Sequence, residues 1–192
     1  MCLYMPEIGI IGEKSFFFEK LLQSTGKNFQ FLDPGVLGSP FLPKFNMIII
    51  PTGFANPQYS KILPSLKACK SKISDFVKQG GILTIFGPLV PEHNYEWLSL
   101  TIKYIEDCKS TELVPNSYHF SSNLVDMPIA ECDGYLEIGD DFETVLNDSQ
   151  GRPILVKGHF GKGTIIATTI HEFPSVDYLC RAAEKGNPTK IG

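Results

Sequence analysis

The sequence predicts an α/β fold, a mostly parallel sheet flanked by helices with an antiparallel β-meander in the C-terminal third. Three observations carry this. Met47-Ile48-Ile49-Ile50 and Ile82-Leu83-Thr84-Ile85-Phe86 are nearly all-apolar runs, the pattern of strands buried on both faces. Between them Ile62, Leu66, Cys69, Ile73 and Phe76 or Val77 recur at three- and four-residue intervals, which is one inward stripe of a helix. From Gly134 onward, short strand-like runs are separated by turns too brief for anything but hairpins. A strand, a crossover helix and a second buried strand form a parallel βαβ unit, and the remaining elements extend it.

The elements follow in chain order. Ile8-Gly9-Ile10-Ile11 is the first strand, and Ser15 stands where an N-cap opens a helix over residues 16–24 that stops at Gly26. Phe29-Gln30-Phe31-Leu32 is the second strand, closed by Asp33-Pro34-Gly35. Residues 35–45, with Pro40 and Pro43, read as loop. Pro51-Thr52-Gly53 closes the next strand, and Gly80-Gly81 ends the helix that follows it. Past Phe86 the pattern fades: residues 96–106 fit either a helix or a strand, and residues 111–133 read as an irregular excursion with one short strand. Residues 135–138, 142–146, 154–160 and 164–170 are four strands of the meander, then a helix over about 175–184 and a loose tail around Pro188.

The 192 residues suit one domain over 1–192, long enough to bury about 70% of the unfolded surface. With 43% hydrophobic and 20% charged residues the composition is that of a soluble globular protein. A net charge of -4 supplies no broad basic field, which argues against a nucleic-acid partner. Met1-Cys2-Leu3-Tyr4-Met5 is apolar but has no basic leader, and no run approaches the ~20 apolar residues that span a bilayer. No membrane partner and a cytoplasmic location are expected. Cys2, Cys69, Cys108, Cys132 and Cys180 form no CxxC pair and read as reduced thiols.

Few motifs carry chemistry. Gly12-Glu13-Lys14-Ser15 departs from a Walker A loop, because a glutamate separates glycine from lysine, and Gly161-Lys162-Gly163-Thr164 is explained by a hairpin turn. His93, His119, His159 and His171 have no metal-binding spacing, so neither a metal nor a cofactor is expected. His171 stands out because it follows an apolar strand, and strand ends are where open α/β sheets place ligands. The equally simple reading is that His171-Glu172 only begins the connection into the last helix.

Four features together resemble the class I glutamine amidotransferase-like superfamily, with its flavodoxin-like sheet. They are the strand into Ile50-Pro51-Thr52-Gly53, the helix ending Val77-Lys78-Gln79-Gly80-Gly81, the strand to Phe86-Gly87, and Gly161-Lys162-Gly163 with a strand delivering His171-Glu172. In active members an elbow after the Gly-Gly turn holds a cysteine, activated by a histidine that a glutamate orients. Here that elbow reads Ile85-Phe86-Gly87-Pro88-Leu89, which has no nucleophile, and Pro88 lacks a backbone N–H for an oxyanion hole. Glu172 follows His171 directly instead of two residues later.

The resemblance therefore implies a non-catalytic domain that binds an unknown small molecule or a protein subunit, with Thr52, Gly53, Phe86, Gly87, His171 and Glu172 lining the cleft. The competing expectation is a hydrolase or amidotransferase that uses His171 as general base, with Glu172 or a distant carboxylate orienting the ring. Cys132, in Glu131-Cys132-Asp133-Gly134, reads as the most exposed thiol and as a substitute nucleophile, although flanking carboxylates would raise its pKa.

Overall fold

In the computed structural model residues 6–192 are described; the apolar segment Met1-Cys2-Leu3-Tyr4-Met5, on which the expectation of no leader rests, lies outside them. Strands β1 (Ile8–Ile11), β2 (Phe29–Leu32), β3 (Met47–Ile50) and β4 (Ile82–Ile85) are parallel neighbours in the order β2-β1-β3-β4. All four residues of β1, β3 and β4 are buried, as their apolar runs require. Alternate side chains feed opposite layers. Ile48 and Ile50 pack with Leu66, Ile73 and Phe76, whereas Met47 and Ile49 pack with Phe18, Leu22 and Leu179 on the other face.

Helix α1 (Phe16–Ser24) follows β1. Ser15 occupies its N-cap position in extended conformation but makes no side-chain cap bond. The expected long crossover helix is two helices, α2 (Ile62–Ala68) and α3 (Lys70–Lys78), separated at Cys69, where φ is -103° and ψ 19°. The stripe is continuous across the break: Ile62, Leu66, Ile73, Phe76 and Val77 are buried, and Cys69 is half-buried with Sγ donating to the Leu37 carbonyl at 3.2 Å.

The excursion after β4 is more ordered than its sequence suggests. A second, three-stranded antiparallel sheet holds β5 (Glu92–Asn94), β6 (Ile102–Glu112) and β8 (Ile129–Ile138), in the order β5-β6-β8. Residues 96–106 are thus turn and strand, not helix, and much of 111–133 is strand. A register shift between Glu106 and Lys109 interrupts the period-2 signal of β6, and the inward residues of the first half of β8 are the small Ala130 and Cys132. The short β7 (Val114–Pro115) instead joins the edge of the large sheet.

The meander has three strands rather than four. β9 (Phe142–Asn147), β10 (Pro153–Phe160) and β11 (Gly163–Thr168) pair antiparallel in succession, and β11 closes onto β4 in parallel, giving β2-β1-β3-β4-β11-β10-β9-β7. Residues 135–138 belong to β8, so the brief turn at 139–141 passes the chain from one sheet to the other. Helix α4 (Val176–Lys185) opens on Ser175, whose hydroxyl accepts the Tyr178 N–H at 3.0 Å. The tail is not loose: Thr189 pairs with Phe45 through two backbone hydrogen bonds of 2.9 Å, and Ile191 is fully buried. No helix among the described residues is long and apolar enough to cross a membrane.

Candidate functional site at the carboxyl ends of β3, β4 and β11

The parallel strands point their carboxyl ends at one rim. There the loops after β3 and β4 are tied together, since Gly53, at φ +81°, donates its N–H to the Gly87 carbonyl at 2.8 Å. Just beyond, Leu89 has φ +53°, and it is the one non-glycine residue with positive φ among those described. A left-handed leucine costs about 1–2 kcal/mol. Asn56 helps to hold it by donating Nδ2 to the Leu89 carbonyl at 2.8 Å. The left-handed turn of this loop thus falls at Leu89, three residues beyond Phe86, where the elbow was expected, and neither residue carries a nucleophilic atom.

β11 delivers His171 beside it. The His171 N–H donates to the Glu131 carbonyl at 2.8 Å, so β8 runs on alongside the end of β11. Two residues further along β8, the Asp133 carboxylate accepts from His171 Nδ1 at 2.8 Å. With Asp133 ionised, Nδ1 carries the proton, and in the neutral ring Nε2 keeps its lone pair. Asp133 is 8% exposed and the imidazole 53% exposed. Burial raises the Asp133 carboxyl above its ordinary range, against the opposing pull of His171. Oδ2 of Asp133 is buried without a hydrogen-bond partner, and a Cβ on Gly87 would lie 2.6 Å from it. Glycine at 87 thus makes room for the carboxylate. The Asp133 main-chain carbonyl is fixed in turn by Tyr104 Oη at 2.8 Å and Cys108 Sγ at 3.4 Å.

The six expected lining residues divide. Thr52 borders a cleft of about 940 Å³ with Gly12, Lys14, Asp33, Gln58 and Lys61. Gly53 is the tie between loops, and Phe86, 4% exposed, packs in the core against Ile10 and Ile166 rather than lining a cleft. Gly87 lies under Asp133, and His171 faces outward. Glu172 does not orient the imidazole: its Oε1 accepts the Glu131 N–H at 3.2 Å. Cys132, expected to be the most exposed thiol, is 2% exposed in the middle of β8, and burial first, then Asp133, pushes its pKa up to about 12. Among the described residues Cys108 is the exposed thiol, and burial of its sulfur and the carboxylates around it raise its pKa. Among the described residues no thiol is hydrogen-bonded to His171.

The residue that sequence reasoning missed is Asp133. It lies next to Cys132 in the stretch that drew attention for its thiol, but no spacing relates positions 133 and 171; only the pairing of β8 with the end of β11 brings them together.

No protein-family model and no curated protein matches the sequence. Solved structures do. The chain is similar to a GMP synthase subunit protein from Thermoplasma acidophilum, at 12% identity and TM-score 0.62 over 95% of this chain and 94% of that one. It is similar to a glutamine amidotransferase from Thermotoga maritima, at 14% identity and TM-score 0.60 over 88% and 76%. A cytoplasmic protein from Salmonella typhimurium LT2 matches at 13% identity and TM-score 0.57 over 94% and 99%. The chain therefore has the class I glutamine amidotransferase-like fold, the class that its sequence features resemble.

Proposed function

We propose that this chain is a non-catalytic amidotransferase-like domain that binds a small polar molecule at the carboxyl ends of its parallel strands. One observation carries the reading: the loop after β4, from Phe86 through Gly87 and Pro88 to the left-handed Leu89, offers no side chain with a lone pair to attack a carbonyl. The cleft beside Thr52 supplies both signs of charge, Lys14 and Lys61 against Glu13 and Asp33, together with the Thr52 hydroxyl and the Gln58 amide. That lining suits a zwitterionic or multiply hydrogen-bonding ligand. A protein subunit is the alternative occupant of the same rim.

The test is to incubate the purified protein with glutamine and follow ammonia. No release above that of a His171→Ala variant is expected, and steady turnover lost in that variant overturns the proposal. A thermal-shift screen of amino acids and their amides supplies the positive arm: stabilisation by a compound, absent in Thr52→Trp, locates binding in this cleft.

A second reading is favoured by the Asp133–His171 pair. A buried carboxylate that fixes the tautomer and leaves Nε2 free is what a general base needs, and water could serve as the nucleophile. This reading requires ester or amide hydrolysis that falls at least about a hundredfold in both His171→Ala and Asp133→Asn; activity indifferent to Asp133 removes it.

A further inference from the structure

At the opposite rim, where β4 and β11 begin, lies a second cleft of about 560 Å³. Its lining includes Lys162, Arg181, Lys185, His119 and His159, and no carboxylate. This is unexpected in a chain of net charge -4, and it contrasts with the balanced charges of the cleft beside Thr52. We infer that this amino-end cleft is a binding site for a small phosphorylated anion. The inference is independent of the function proposed above.

The cations are available. Lys162 Nζ has no hydrogen-bond or ion-pair partner among the described residues, and its position is set by the backbone, where the Lys162 N–H donates to the Lys78 carbonyl at 3.0 Å. Lys185 Nζ stands 5.5 Å from the centroid of the Phe120 ring and makes no ion pair among the described residues. Arg181 spends Nε on Asp177 at 2.8 Å, and no hydrogen bond from its two terminal nitrogens is made within the described residues. Asp177 and Glu184 flank the cleft on α4 without lining it, and Lys157 nearby is already held by Glu143 at 3.2 Å.

The bland explanation is that these cations offset the negative ends of α3 and α4, which finish at this rim. Each helix end contributes about half a negative charge. Two such ends neutralise roughly one of the cations, and Asp177 offsets Arg181, so an excess of positive charge remains. It sits in a concavity, where field lines are focused. Neutral polar groups complete the lining. Asn123, Thr164 and His119 are among its lining, with Asn123 Nδ2 already donating to Asp177 at 3.2 Å, Thr164 Oγ1 paired with His159 Nδ1 at 3.2 Å, and the His119 pKa held down at about 4 by burial and then by Lys157. Tyr118, fully exposed at the mouth, offers a ring to whatever carries the phosphate. Phosphate satisfies many N–H and O–H donors at once and bears the charge that the cleft lacks.

The experiment is an amide-resolved NMR titration of the full chain with pyrophosphate, with inorganic phosphate and AMP as parallel arms. Saturable shifts at Lys162, Gly163 and Thr164 are expected. The double variant Lys162→Ala/Lys185→Ala should weaken pyrophosphate at least about tenfold, while Lys61→Ala, in the carboxyl-end cleft, leaves it unchanged. AMP binding as well as inorganic phosphate assigns recognition to the phosphate alone; tighter AMP binding adds Tyr118. Absence of saturation up to about 10 mM pyrophosphate, or a loss in Lys61→Ala equal to that in the double variant, overturns the inference. A folded double variant, judged from its dispersed spectrum, keeps the comparison valid.

Discussion

β4 and β11 lie side by side in parallel, with Ile85 opposite Ala167, and they end at the same rim in opposite condition. After β4 the backbone turns at Leu89, an apolar residue held in a conformation that leucine disfavours. After β11 the histidine is present, and it is supported by Asp133 from a different sheet rather than by the neighbouring Glu172. An orienting carboxylate can therefore be supplied from wherever another strand passes. The support of His171 is the more elaborate half of the site, and the largest expected effects fall there.

Gly134 is the first place to break it. A Cβ there would collide with the main-chain oxygen of Ile105, which no side-chain rotation relieves. Gly134→Ala should cost several kcal/mol, on the order of 3, read as a lowered urea midpoint, and should release Asp133 from His171. Gly87→Ala links the two strand ends directly, since its Cβ meets Asp133 Oδ2 at 2.6 Å. A loss of about 1–3 kcal/mol is expected, accompanied by a shift of the His171 ring resonances, whereas unchanged resonances would separate the two ends.

The pH dependence of stability sharpens the comparison. Burial raises the Asp133 carboxyl in the folded state, so the fold binds that proton more tightly than the unfolded chain does. The stability it gives is greatest at low pH and is lost as pH rises through the raised pKa. Asp133→Asn should flatten this fall in urea unfolding followed upward from the ordinary carboxylate range. Asp148 has the opposite sign. Burial alone would raise it, but Lys109 and Arg152 together with backbone N–H groups hold it down at about 2. Its contribution is present above the ordinary carboxylate range and is lost as pH falls through about 2, so it leaves the neutral window undisturbed.

The smallest effect belongs to the elbow. Leu89→Gly relieves the left-handed strain while giving up a half-buried side chain, and the two terms of about 1 kcal/mol each nearly cancel. A midpoint close to wild type is expected for Leu89→Gly and a lower one for Leu89→Ala, which keeps the strain and loses the packing. Equal values for the two variants would remove the elbow from the account of β4.

What could be read in advance follows from how locally each feature is encoded. The buried runs of β1, β3 and β4, the stripe through Ile62, Leu66, Ile73 and Phe76, and the capping Ser175 depend on near neighbours along the chain. The break at Cys69 escaped because the stripe passes through it without a change of phase. The second sheet escaped because β6 is charged and bulged, and the buried side of β8 in its first half is only Ala130 and Cys132. The packed tail was hidden as well, since Thr189 finds its partner at Phe45, far away in sequence.

By itself the sequence determined the parallel core, the order of its elements and the apolar character of the loop after β4, because hydrophobic period, turn chemistry and residue identity are properties of short stretches. Tertiary structure alone decided that Asp133 holds His171, that Phe86 is core while Thr52 borders the cleft, and that Lys162, Arg181 and Lys185 converge at the far rim. Those relations join segments tens of residues apart, and only strand pairing and the packing of both sheets against the helices bring their side chains within reach.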